Sequence, residues 1–205
     1  GYTYMFVRMK KNPFTYAIEW DELMSDPQLY DRRRNMIIAA ARRLHSLQMI
    51  VFDEVSMYFI SKDLGKIASD FYLLNESVEI FNQVSNPRAT EADVLSMISM
   101  SSEFDGLKFR EEEASELTRL AESAAPCQIA GDLESNHGKT NILLQAFISQ
   151  SKIFDSALSS DSNYVAQNAA RICRALFLIG LNRRWGVFTN IMLNVCKSIE
   201  KRLWS

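Results

Sequence analysis

Cysteine and histidine are scarce in this sequence: Cys127, Cys173 and Cys196, with His45 and His137, are all that 205 residues contain. The cysteines lie far apart and form no CxxC pair, which argues against a disulfide scaffold and a zinc site and fits a reducing compartment. Neither histidine stands in an arrangement with Ser, Cys or Asp that would make a catalytic triad. A positive excess is missing too, since the formal net charge is -2. A general phosphate binder is usually basic, so any nucleic-acid contact has to be local. No run approaches the roughly 20 apolar residues of a membrane span. The nearest, Ala175 to Leu181, is short and flanked by arginines. The opening GYTYMFVRMKK lacks the order of charge, apolar core and cleavage site that marks a signal peptide, and the sequence reads as cut from something larger.

What is present is an ordinary globular composition with a helical rhythm. The hydrophobic fraction is 47%, and the length suits one large domain or two small ones, each able to bury a core. Tyr2 to Lys11 reads as a short aromatic helix closed by Asn12-Pro13. Ser25-Asp26-Pro27 supplies a cap and a first-turn proline, predicting a helix to about Gln48 with Leu29, Met36, Ile37, Ala40, Leu44 and Leu47 on its apolar face. Met49–Phe52 and Met57–Ile60 are β-prone runs joined by Asp53-Glu54-Val55-Ser56. Helices, a hairpin, then another helix is the order of a winged-helix module.

From Ser61 onward the pattern is helical. Helices are expected over Lys62–Leu74, Ser77–Val84, Glu91–Ser101, Phe109–Ser123, Lys139–Gln150, Asp161–Asn182 and Val187–Leu203. Thr90 with Asp93 forms a candidate cap, and Ala124 to His137 is the longest irregular stretch. The domain boundary falls near Ser61, giving units at 1–61 and 62–205.

The organising stretch is Asp161 to Arg184. Val165, Ala169, Ile172, Cys173, Leu176, Phe177 and Ile179 form a broad apolar surface, as in a helix central to its domain. Tyr164, Gln167, Asn168, Arg171 and Arg174 recur every three or four residues and stack along the remaining face. Unpaired, such groups would each cost roughly 1–3 kcal/mol if buried. An aromatic, amides and arginines suit a single-stranded nucleic acid. They equally suit hydrogen bonds to neighbouring helices, and the pattern leaves both readings open.

The other motifs have simpler explanations. Gly138-Lys139-Thr140 hints at a phosphate loop, but Leu133 stands where that motif needs its first glycine and no strand precedes it. Asp53-Glu54 ends an apolar run that turns straight back, which makes a wing tip. Consecutive Glu111, Glu112 and Glu113 point in different directions around a helix and cannot converge on one ion, so with Arg110 they form a solvated first turn or an ion-pairing face. Arg32, Arg33 and Arg34 read as solvated or paired surface. No catalytic constellation is found.

LGKIASDFYL, SMSSEFDGLKFREEE, HGKTNILLQAFISQ, SDSNYVAQNAARICRALF and CKSIEKRLW resemble, in that order, the successive signatures of the Sec-sixty-three homology unit in Ski-two-like tandem-cassette RNA helicases. GYTYMFVRMKKNPFTYAI is similar to the second half of the winged-helix domain that precedes that unit. The resemblance covers essentially the whole chain. Within the family, YVAQNAARI and NHGKTNILLQ look closer to the branch of the activating signal cointegrator and ribosome-quality-control trigger complexes. The spliceosomal branch more often has Thr-Gln-Ser-Ala-Gly-Arg where this chain has Ala166-Gln167-Asn168-Ala169-Ala170-Arg171.

The resemblance implies a mainly α fold: a winged-helix remnant with a short β-hairpin, then an all-α bundle around a long central ratchet helix. It implies that Asp161–Asn182 lines a tunnel for one strand of RNA or DNA. Arg171 would contact a phosphate or stack on a base, Asn168 and Gln167 would hydrogen-bond sugar or phosphate, and Arg174 and Tyr164 would assist. ATP and magnesium would belong to the parent's motor domains, with no cofactor in this segment and no hydrolysis by it alone. Further partners would be those motor domains and a multi-subunit, ribosome-associated complex, in the cytoplasm or alternatively the nucleus, with no membrane. A related unit in an endoplasmic-reticulum translocation subunit handles no nucleic acid, so a protein-interaction scaffold is the rival reading.

Overall fold

The computed structural model describes residues 2–204, without the side chains of Tyr2 and Met5. Among the described residues the chain is mainly α, with ten α-helices and one two-stranded hairpin. It divides into two compact units, residues 1–46 with 50–60 and residues 47–49 with 61–205.

The first unit contains α1 (Tyr2–Lys11), α2 (Trp20–Ser25), α3 (Tyr30–Ser46), β1 (Ile50–Asp53) and β2 (Tyr58–Ser61). Its small core is Met9, Ile18 and Leu29, covered by Phe6, Tyr16 and Leu23. The helix expected from Pro27 starts at Tyr30 instead. Asp26 to Gln28 form a turn, Leu29 is fully buried with φ +49, and the Asp26 carboxylate accepts from Asp31 N at 3.0 Å. Burying Leu29 therefore overrides the proline signal. The apolar face is displaced as well: Ile38 and Ala41 are buried, whereas Met36 and Ile37 are exposed. The arginine row is largely engaged, since Arg32 donates to Tyr16 O at 2.8 Å and pairs with Glu22, and Arg33 lies 4.7 Å over the Phe6 ring. At the hairpin, Phe52 stacks on Phe59 at 4.8 Å. Asp53 accepts from Val55 N and Ser56 Oγ, which closes the turn locally, and Glu54 is paired with Arg42.

The second unit holds α4 (Asp63–Asp70), α5 (Asn75–Val84), α6 (Glu91–Ser99), α7 (Ala114–Ala124), α8 (Asn136–Ile148), α9 (Ser156–Asn182) and α10 (Gly186–Lys201). With 27 residues α9 is about 40 Å long at 1.5 Å per residue. It begins ahead of the expected Asp161 because the Asp155 side chain caps it, accepting from Leu158 N at 2.8 Å. Its apolar residues Val165, Ala169, Ile172, Cys173, Leu176 and Ile179 are buried against α8 and α10. Helix α10 approaches so closely that a Cβ on Gly180 would stand 2.7 Å from Thr189 Oγ1 and 2.8 Å from Phe188 Cδ1. Cys196 Sγ meets Cys173 Sγ at 2.9 Å in the same interface.

Two chemical details fix the bundle. The first is the α6 cap: Thr90 Oγ1 accepts from Asp93 N at 3.2 Å, and Asp93 Oδ2 accepts from Thr90 N at 2.8 Å, a complete capping box. The second is Lys139, which has no solvent exposure. Its ammonium lies 2.7 Å from Glu113 Oε2 and 2.8 Å from Asp161 Oδ2, and donates to Lys108 O at 3.1 Å. Glu113 turns inward to reach it, and also pairs with Arg110 at 2.6 Å. The helix expected from Phe109 therefore opens as a 3-10 turn at Glu111–Glu113 before α7. Only Glu111 and Glu112 of that acidic run face solvent.

Two expectations follow. Lys139→Met, which leaves Asp161 without its cation and Glu113 with Arg110 alone, lowers stability by about 3–5 kcal/mol in a denaturant titration. The Asp93 carboxyl is held below its ordinary value by the Thr90 N–H and then the Thr90 hydroxyl. A depressed folded-state value stabilises the fold above the unfolded value, about 3.9, and that share is lost as pH falls through the folded value. Asp93→Asn therefore shows a shallower fall in melting temperature than wild type between about pH 5 and about pH 2.

Candidate nucleic-acid interface

The polar residues of α9 fall along two edges of one stripe. The outer edge faces solvent: Asn163, Gln167 and Arg174 are exposed, followed by Leu178 and Leu181. Gln167 makes no hydrogen bond among the described residues. Arg174 donates through Nε to Glu200 Oε1 at 3.1 Å, an exposed ion pair with α10 that raises the arginine's pKa through the Glu200 hydrogen bond and charge.

The inner edge is bonded inside the unit. Tyr164 Oη donates to Glu103 O at 3.0 Å, and its ring meets Phe104 edge-on at 6.4 Å. Asn168 Nδ2 donates to Tyr164 O at 3.1 Å, while its Oδ1 accepts from Arg171 at 2.9 Å. Arg171 spends its other terminal nitrogen on two backbone carbonyls, Phe71 O at 2.5 Å and Tyr72 O at 2.7 Å. Those carbonyls end α4, where a guanidinium also complements the negative end of the helix dipole.

Helix α4 is tied to α9 at its other end as well. Asn182 Nδ2 donates to Asp63 Oδ2 at 3.0 Å, and this bond, then Lys66, holds the Asp63 carboxyl below its usual range. The expected continuation of α4 to Leu74 does not occur. Leu73 N bonds back to Ala68 O at 2.8 Å with Tyr72 at φ +51, which closes the helix in a Schellman turn. The following turn is held by Glu103, whose carboxylate accepts from Leu74 N at 3.0 Å and from Ser77 Oγ at the start of α5.

The five stripe residues thus share one helix face but have different surroundings. Gln167 and Arg174 are open to solvent or to an exposed partner, whereas Tyr164, Asn168 and Arg171 are bonded to the protein. Sequence spacing missed Tyr72 and Glu103. They are brought to α9 by contacts 99 and 61 positions distant, which no periodicity reports. Lys139 offers nothing to a phosphate, because its ammonium is enclosed by Glu113, Asp161 and Lys108 O. No helix among the described residues is long and apolar enough to cross a membrane.

Comparison with known proteins gives a consistent picture. The family model of the Sec63 Brl domain matches residues 61–205. The chain is 76% identical over 205 residues to the RQC trigger complex helicase SLH1 of Saccharomyces cerevisiae, covering 100% of the chain and 10% of that protein. It is 44% identical over 204 residues to activating signal cointegrator 1 complex subunit 3 of Homo sapiens, covering 100% of the chain and 9% of that protein. It is 41% identical over 204 residues to the U5 small nuclear ribonucleoprotein 200 kDa helicase of Homo sapiens, covering 100% of the chain and 10% of that protein. The chain spans about a tenth of the length of these relatives.

The two arginines of the stripe should separate by stability. Arg171→Leu strands two carbonyls and the Asn168 amide oxygen, and is expected to cost about 1–3 kcal/mol. Arg174→Ala removes one exposed pair and should cost at most about 1 kcal/mol. Paired thermal melts check the order.

Proposed function

The chain belongs to the Sec63 Brl domain family, and on that premise we propose that it is a non-catalytic, strand-guiding segment of an ATP-dependent RNA helicase. The observation that carries this reading is the outer edge of α9, a polar strip on a long helix whose opposite faces are fully packed. A strand drawn past such a helix meets fixed amide and cationic groups and no base-reading pattern, as sequence-independent translocation requires. Gln167 hydrogen-bonds sugar or phosphate. Arg174 exchanges Glu200 for a phosphate, an exchange that forfeits at most about 1 kcal/mol because the pair is exposed. Arg171, Asn168 and Tyr164 stand beside the path, with Arg171 adding its charge while it keeps α4 in place.

ATP and magnesium belong, in this proposal, to motor domains outside the chain, and the enclosed Lys139 supports that assignment. The names of the relatives, an RQC trigger complex helicase and a signal cointegrator complex subunit, support a multi-subunit complex and a parent in ribosome quality control, which this proposal places in the cytoplasm. A nuclear spliceosomal parent is the alternative, supported by the likeness to the U5 helicase. The internal bonds of Tyr164, Asn168 and Arg171 favour a second reading, in which the bundle is a docking scaffold and touches no RNA.

The test uses the full-length protein carrying Gln167→Ala with Arg174→Gln, after confirming an unchanged melting temperature. Binding to single-stranded oligouridine is measured across a range of salt, together with unwinding of a tailed duplex. Weaker binding, slower unwinding and a salt slope reduced by about 0.7 are expected for one lost phosphate contact. Affinity, slope and unwinding all equal to wild type would reject the strand path and leave the scaffold.

A further inference from the structure

We propose that the turn joining α4 to α5 is a nucleobase-stacking site, with Tyr72 as its platform; this rests on the strand-path reading of α9. Tyr72 is 82% exposed, on a left-handed backbone at φ +51. If ending α4 were the only requirement, glycine would adopt that conformation without the steric penalty a side chain adds. The backbone that carries the exposed ring is held by several hydrogen bonds. The carbonyls of Tyr72 and Phe71 accept from Arg171, and Leu73 N is bonded back to Ala68 O. Leu74 N is bonded to Glu103, whose backbone carbonyl accepts from Tyr164 Oη.

Both ends of the turn therefore hang on the polar stripe of α9, from Tyr164 to Arg171. This gives the inner edge of the stripe a purpose: it fixes the backbone of Tyr72 to Arg171, one helical turn along α9 from Gln167. A ring on a fixed backbone loses little freedom when a flat partner stacks on it, so the site is pre-organised. The flanking residues favour a base over a phosphate, because Asp70 and Glu76 are acidic and exposed. Every base has a π-face, so the contact is sequence-tolerant, as the guiding role needs.

The experiment compares full-length wild type with Tyr72→Trp, Tyr72→Ala and Tyr72→Gly, and with Arg174→Gln as the phosphate control. Each is titrated with single-stranded oligouridine and with the same strand made abasic. Tyr72→Ala and Tyr72→Gly should weaken binding to the intact strand by about 5- to 150-fold, the value of one stacked base, with the salt slope unchanged. Tyr72→Trp should retain the affinity, and on the abasic strand all Tyr72 variants should match wild type. Tyr72→Gly should melt no lower than wild type, which separates stacking from a structural role. Equal losses on intact and abasic strands would overturn the stacking site. If Tyr72→Ala binds like wild type while Arg174→Gln lowers the slope, the stacking site falls and the strand path stands. If neither variant changes binding, both fall.

Discussion

A solvent-free ammonium group between two carboxylates is the interaction on which the rest of this bundle depends. Lys139 belongs to α8, Glu113 to the segment that opens α7, and Asp161 to the first turns of α9. Removing three charges from water is expensive, and mutual attraction offsets that only when the geometry is held closely. The triad is therefore a register device: α9 cannot slide or rotate by one residue without leaving a buried charge unpaired. Rotation of α9 decides which of its residues face solvent, so the orientation of the Gln167 and Arg174 edge follows from ion pairs at the far end of the helix.

The polarity of α9 consequently performs two tasks that a hydropathy pattern cannot separate. One edge faces solvent and one is bonded within the unit, although both are drawn from the same residue types at the same spacing. Arg171 shows how narrow the difference is. Its guanidinium closes α4, reaches Asn168, and leaves its charge near the solvent-facing edge. Such an arrangement couples α9 to the α4–α5 turn without any moving part, because the same side chain bonds both.

Much of the helical content was legible in the sequence, and so was the buried surface of α9, because a period of 3.6 in apolar residues reports directly on one-sided burial. The Thr90–Asp93 cap was legible for the same local reason. The family was legible from five ordered segments. Less was legible wherever a distant partner overrode a local signal. Pro27 promised a helix start that the burial of Leu29 displaced to Tyr30. Glu113 was readable only as part of an acidic run beside Arg110, because its buried cation, Lys139, lies 26 positions away. The roles of the α9 polar residues divided on contacts with residues 71, 72 and 103, and nothing in the spacing of 164 to 174 distinguishes a side chain that is bonded inward from one that is free.

The helix ends have a consequence for how the chain tolerates change. α4, α8, α9 and α10 all close with a backbone bond across a left-handed residue, and those residues are Tyr72, Gln150, Arg184 and Arg202, none of them glycine. Each therefore holds a conformation that disfavours a side chain by roughly 1 kcal/mol. At Gln150 and Arg202 the side chains are tied back, Gln150 to Arg202 O at 2.7 Å and Arg202 to Phe147 O at 3.3 Å, so the strain is offset where it arises. Arg184 has no such tie among the described residues. The fold thus keeps thermal stability in reserve at the end of its longest helix, open to a single glycine, at a position that neither the core nor the stripe would notice.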